Sequence, residues 1–195
     1  MFEENGKTIS GQVKWPDIVD CNEPGVYVVA ITPVADKMLC YDEAPISIEL
    51  IERWINYVPN MTLNNLTPTT ESLVQRLNGF WIPDETILYI GQTGAYLRER
   101  IHQYYNTPLG NPRPHRGGHW IKTLSNLEGL SIYWTTLEGE TAYDLESRFL
   151  EYFIKNMSLK SRRNLFDPNN SLPLANLEFP KGPRKKHLIK KQVNK

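Results

Sequence analysis

"ILYIGQTGAYLRERIHQYY", residues 87–105, is the stretch on which the fold turns. An apolar run, Ile87–Ile90, stops at Gly91. A polar stretch follows, and then Leu97, Ile101 and Tyr104 or Tyr105 recur at helical spacing. A hydrophobic period that switches in this way predicts a strand feeding a helix. Tyr89, Arg100 and Tyr104 are the anomaly. They crowd the turn with hydroxyls and a guanidinium, and that fork suits phosphate oxygens better than it suits a core.

Working outward, "EPGVYVVAI" (residues 23–31) and "LSIYWTTL" (residues 130–137) read as two further strands. Residues 44–58 carry Ile48, Ile51, Trp54, Ile55 and Val58 at helical spacing. Residues 69–77 form a short helix with a threonine cap, and 117–124 another short helix. Thr141 to Asp144 fits a capping box, opening a helix whose core face is Leu145, Phe149, Tyr152 and Phe153. The segment 61–68 reads as a loop, and after 160–170 only 171–179 reads as ordered. The expected architecture is α/β (α+β): one domain, 1–195, with a small three-stranded antiparallel-type sheet flanked by helices.

The net charge is zero, but it is unevenly distributed. Residues 1–52 hold ten acids against three lysines, whereas 181–195 hold seven Lys or Arg and no acid. That basic tail, with Lys185 and Lys186 in it, is an electrostatic footprint for a polyanion; its alternative is a solvated, disordered end. Arg113, His115, Arg116, His119 and Lys122 surround a glycine pair and form a second candidate DNA-contacting cluster. No Cys or further His accompanies the two histidines, so a zinc site is not expected there. With no long apolar stretch and no leader-like N-terminus, the expected setting is the cytoplasm, without membrane contact and with Cys21 and Cys40 reduced.

"GVY" at 25–27 and "YIG" at 89–91, followed by Thr93, Leu97, Arg100 and Tyr104, resemble the two half-motifs of the GIY-YIG nuclease family. The resemblance covers 23–31 and 86–178. It implies a GIY-YIG-like core and a metal-dependent DNA endonuclease, most like stand-alone restriction-type enzymes acting as homodimers on double-stranded DNA. Tyr27 and Tyr89 would supply the base, with Tyr27 in the leading role. Arg100 and Tyr104 would hold the phosphate, Glu146 would bind Mg²⁺ or Mn²⁺, and Asn176 would complete the set. Glu151 and Asn164 are rivals for the last two places.

Tyr27 and Tyr89 lie 62 residues apart, more than the short hairpin usual between the half-motifs, so 32–84 reads as an insertion with helices of its own. Its acidity argues against close DNA contact. The chemistry behind the assignments is general. A phosphate under attack gains charge and needs cationic donors, and the attacking water must lose a proton. A phenol with a free pKa of about 10 is a poor base unless a cation lowers it. Two competing readings are a non-catalytic nucleic-acid-binding module that kept the fold and a repair or mobile-element nuclease. A structural or protein-interaction domain is a third.

Overall fold

The computed structural model describes residues 1–31, 41–111, 118–163, 165–169 and 171–191. In chain order its strands are β1 (Gly11–Lys14), β2 (Gly25–Ile31), β3 (Met61–Leu63), β4 (Ile87–Thr93), β5 (Leu130–Thr136) and β6 (Ile189–Lys191). The α-helices are α1 (Ile48–Tyr57), α2 (Thr70–Asn78), α3 (Leu97–Asn106), α4 (Ala142–Asn156) and α5 (Leu159–Arg163). The chain is thus mixed α and β, with four strands in an antiparallel sheet of order β1-β5-β2-β4.

β2 is buried along its whole length because both faces of the sheet are covered. Tyr27, Val29 and Ile31 face a cluster that includes Ile51, Trp54, Leu73, Leu77, Leu97 and Ile101 of α1, α2 and α3. Val26, Val28 and Ala30 face the opposite cluster, built on Leu145, Phe149, Leu150 and Phe153 of α4. The caps that start these helices are local. Thr69 and Ser72 make a reciprocal capping box at α2, and the Thr141 hydroxyl accepts from the Asp144 N–H at 3.1 Å.

Four expectations need correction. The sheet has four strands rather than three: "GQVK" of β1 is short, with Gln12 and Lys14 exposed, so its alternation holds only one apolar residue. Residues 61–63, read as loop, form β3, whose partner β6 arrives from the basic tail. That tail is docked, not a solvated end, as far as residue 191. Leu150, rather than half-buried Tyr152, completes the core face of α4. A smaller difference is that residues 119–123 coil as a 3-10 helix and 159–163 as α5.

β4 is the edge strand next to β2, and the segment 172–176 covers its outer side. Ala175 N–H donates to the Leu88 carbonyl at 2.9 Å. The Asn176 carboxamide then mimics one more strand residue, accepting from Ile90 N–H at 2.9 Å and donating to the Ile90 carbonyl at 2.8 Å. Lys185 fixes this segment from behind. It is buried, and its ammonium donates to the carbonyls of Pro173 at 2.6 Å and Leu174 at 2.8 Å.

Gly91 shows how tightly the sheet meets the tyrosines. It lies opposite Tyr27 in the β2–β4 register, and a Cβ there would stand 2.7 Å from atoms of both Tyr27 and Tyr89. Gly91→Ala should therefore lower stability by about 1–3 kcal/mol, the usual cost of overpacking a filled core. Urea denaturation with an unchanged m-value checks this; a midpoint equal to that of the parent protein would contradict the packing described.

Candidate active site

α3 starts as the sequence predicts, and its Leu97, Ile101 and Tyr104 are buried. Arg100, one turn in, is carried to the rim of a cleft of about 360 Å³. α4 buries Leu145, which leaves Glu146 half-buried at the edge of that stripe and facing the same cleft. Tyr89 and Gln92 enter from β4, and Asn176 from the edge-covering segment. Residues 177–185 then turn back on themselves. A bridge between Glu178 and Arg184, together with the Lys185 N–H donating to the Leu177 carbonyl at 2.8 Å, holds this turn over the cleft mouth.

Tyr27, Tyr89 and Tyr104 form a triangle of rings behind the cleft, with centroids 5.9, 6.4 and 5.4 Å apart. Only Tyr89 lines the cleft. Tyr27 is fully buried and shares a hydrogen bond with Tyr89 one layer deeper. Tyr104 directs its hydroxyl away, donating to the Gly118 carbonyl at 2.8 Å. Gly118 has φ 76°, and a Cβ there would stand 2.2 Å from the Tyr104 hydroxyl, so both conformation and space require glycine.

Burial dominates the electrostatics. It pushes the Glu146 carboxyl up to about 7, assisted by the charge of Glu178 and opposed by the Arg100 guanidinium. Burial, followed by the Glu146 charge, raises Tyr89 to about 12, while Arg100 and the hydrogen bond with Tyr27 pull the other way. Tyr27 is raised well above its ordinary value, first by burial. Arg100 therefore acts on the tyrosines and on the acid together.

Of the predicted site residues, Tyr89, Arg100, Glu146 and Asn176 meet in one cleft. Glu151 is exposed on α4 and absent from that lining, which separates it from Glu146. Asn164, Arg113, His115 and Arg116 lie outside the described residues. His119 and Lys122 stand on the 119–123 turn. The Lys122 ammonium donates to the Tyr105 carbonyl at 3.3 Å and also to that of Thr107, and burial lowers its pKa to about 8.

Lys185, expected on DNA, is inside the protein, with its pKa driven well below the usual lysine value by burial; Lys186 is exposed. Sequence reading missed Gln92, Tyr143, Glu178, Lys181 and Arg184 of the lining. For Lys181 and Arg184 the only signal was the charge of the tail.

Among the described residues no three His, Cys, Asp or Glu side chains converge as a metal cage. The cleft offers Glu146, with Glu178 beside it. That donor set fits Mg²⁺, which keeps most of its waters and binds through one or two carboxylates and substrate phosphates. No helix of the described residues is long and apolar enough to cross a membrane. Compared with known proteins, the chain matches no family model, no curated protein and no solved structure.

The raised Glu146 pKa has a consequence for stability. Between its ordinary value of 4.5 and about 7, the native protein holds a proton that the unfolded chain has released. Stability from this group is therefore complete below pH 4.5, is lost as pH rises through about 7, and is flat beyond. Glu146→Gln should then melt higher than the parent protein at pH 8 and equal it near pH 4.5. Calorimetric scans at the two pH values in EDTA test this, and a lower melting temperature for the variant at pH 8 would sink it.

Proposed function

We propose that this chain is a metal-dependent DNA endonuclease with a GIY-YIG-like core, which hydrolyses phosphodiester bonds in double-stranded DNA. The observation that carries the proposal is the meeting of Tyr89, Arg100, Glu146 and Asn176 in one cleft, although they are spread across residues 89–176. Chance core or surface placement would not gather a guanidinium, a half-buried acid and a phenol around one cavity.

The division of labour follows from burial. Arg100 binds the scissile phosphate through its fork and offsets the charge that develops there. Glu146, which needs to lose its proton to serve, holds a divalent ion; when bound, that ion supplies charge neutralisation at the phosphate and a more acidic water. Tyr89 reaches the cleft, so it rather than Tyr27 contacts the attacking water.

With its pKa at about 12, Tyr89 orients that water, and it takes the proton only as far as Arg100 and a neighbouring cation lower its pKa. Tyr27 positions Tyr89 from behind, and Tyr104 ties α3 to the 118 turn. Asn176 holds β4 at its Ile90 position, which fixes Tyr89 one residue away. A restriction-type role on palindromic sites, with two copies supplying two cleavage sites, is part of the same proposal.

The test is digestion of supercoiled plasmid and phage DNA with Mg²⁺ or Mn²⁺. Glu146→Gln and Arg100→Ala should each lower the rate by about 10²-fold or more, and Tyr89→Phe should also be impaired. Activity in the parent protein should fall at low pH as Glu146 takes up a proton, with a midpoint below its metal-free value of about 7 because a bound cation favours the carboxylate. Discrete fragments would support the restriction-type role, whereas nicks or smears lost in the variants would keep only the nuclease. DNA binding without cleavage on many substrates would favour the non-catalytic module.

A further inference from the structure

Two further openings adjoin the cleft, one about its size and one larger. A cavity of about 350 Å³ shares Leu177 and Arg184 with it. The next, of about 650 Å³, shares Gly110, Asn111 and Lys191 with that one. Through these shared residues the three openings lie in a row, a groove that leads from Glu146 past Arg184 and β6 to Leu50, Arg53 and Tyr57 of α1.

Its chemistry is one-sided. Among the described residues, no Asp or Glu lines either of the two outer cavities, in a chain with as many acids as bases. The charged groups there are Arg53, Lys122, Arg184, Lys190 and Lys191. Lys122 is tied to backbone carbonyls, but Arg53, Lys190 and Lys191 are exposed. Arg184 pairs with Glu178 at 2.8 Å, and both are exposed, so water already weakens that pair and a phosphate can replace the carboxylate.

α1 contributes although its segment is acidic. Leu50, Arg53 and Tyr57 line the groove at helical spacing, whereas Glu49 and Glu52 do not line it, although Glu49 stands one turn from Arg53. The expectation that this segment avoids DNA is thus at odds with where its arginine points.

We propose that this groove is the track of the DNA backbone beyond the scissile phosphate, with Arg184, Lys190, Lys191 and Arg53 as successive phosphate contacts. The inference rests on the nuclease reading for its ligand. It also gives the basic tail a specific role, because β6 is pinned against β3 and its lysines stand at fixed positions on the strand's route.

The test is fluorescence anisotropy with a labelled 30-base-pair duplex in EDTA, from 50 to 200 mM KCl. Three proteins are compared with the parent: Lys190→Ala/Lys191→Ala, Arg53→Ala, and a control, Lys155→Ala/Arg163→Ala, which removes two exposed charges from α4 and α5. The β6 double variant should bind about tenfold more weakly at 100 mM. Its log–log salt slope should be shallower by about two, one for each lost phosphate contact. Arg53→Ala should weaken binding as well, and the control should match the parent.

Equal losses in groove and control variants, or parent-like binding by the groove variants, overturn the track. Plasmid cleavage by the parent protein is scored separately. Groove-dependent binding without cleavage keeps the track and ends the nuclease reading. Cleavage with groove-independent binding does the reverse.

Discussion

An edge strand leaves a row of peptide groups without partners, and in this protein the strand that carries Tyr89 is such an edge. The Asn176 carboxamide meets both the N–H and the carbonyl of Ile90, and Ala175 meets the carbonyl of Leu88. Leaving those buried groups unpaired would cost about 1–3 kcal/mol each. Closing the edge also places the following turn, 177–185, over the cleft, so the same bonds that stabilise β4 bring Glu178, Lys181 and Arg184 to Arg100 and Glu146.

Lys185 extends this logic. A buried ammonium is costly unless its protons are taken up, and two carbonyls from the edge-covering segment take them. Its stem and charge also lie over the rings of Phe80 and Trp120, at 5.5 and 5.6 Å. These rings belong to the same cluster as Leu73, Leu77 and the three tyrosines, so α2 and the residues just after it buttress the cleft rather than standing apart from it. A residue that looks like a solvent-facing cation in sequence is here a clamp between the C-terminal segment and the core.

Charge and stability pull against each other at Glu146. The carboxyl is held in a partly desolvated place, where its charged form is disfavoured, and Arg100 only partly offsets this. Such an arrangement stabilises little by itself, but it leaves an acid whose protonation responds to the charges around it. The tyrosine triangle behind it is the opposite case: rigid, buried, and spaced by glycines at 91 and 118 that admit no side chain.

The sequence by itself determined the local decisions: a strand feeding a helix across 87–105, although β4 runs past Gly91 to Thr93, the caps at Thr69 and Thr141, three of the four strands of the sheet, and the order of Tyr89, Arg100, Glu146 and Asn176. These depend on neighbours a few residues apart, which period and capping chemistry report directly. Tertiary structure alone decided the rest. β1 and the β3–β6 ribbon are too short and polar to announce themselves, and the partners within each pair lie more than a hundred residues apart. The fate of the basic tail was equally hidden, because Lys185 and Lys186 are adjacent and alike in sequence. One is buried on carbonyls and the other exposed. Whether a charge faces water or the core is set by what packs over it, and only the folded chain supplies that.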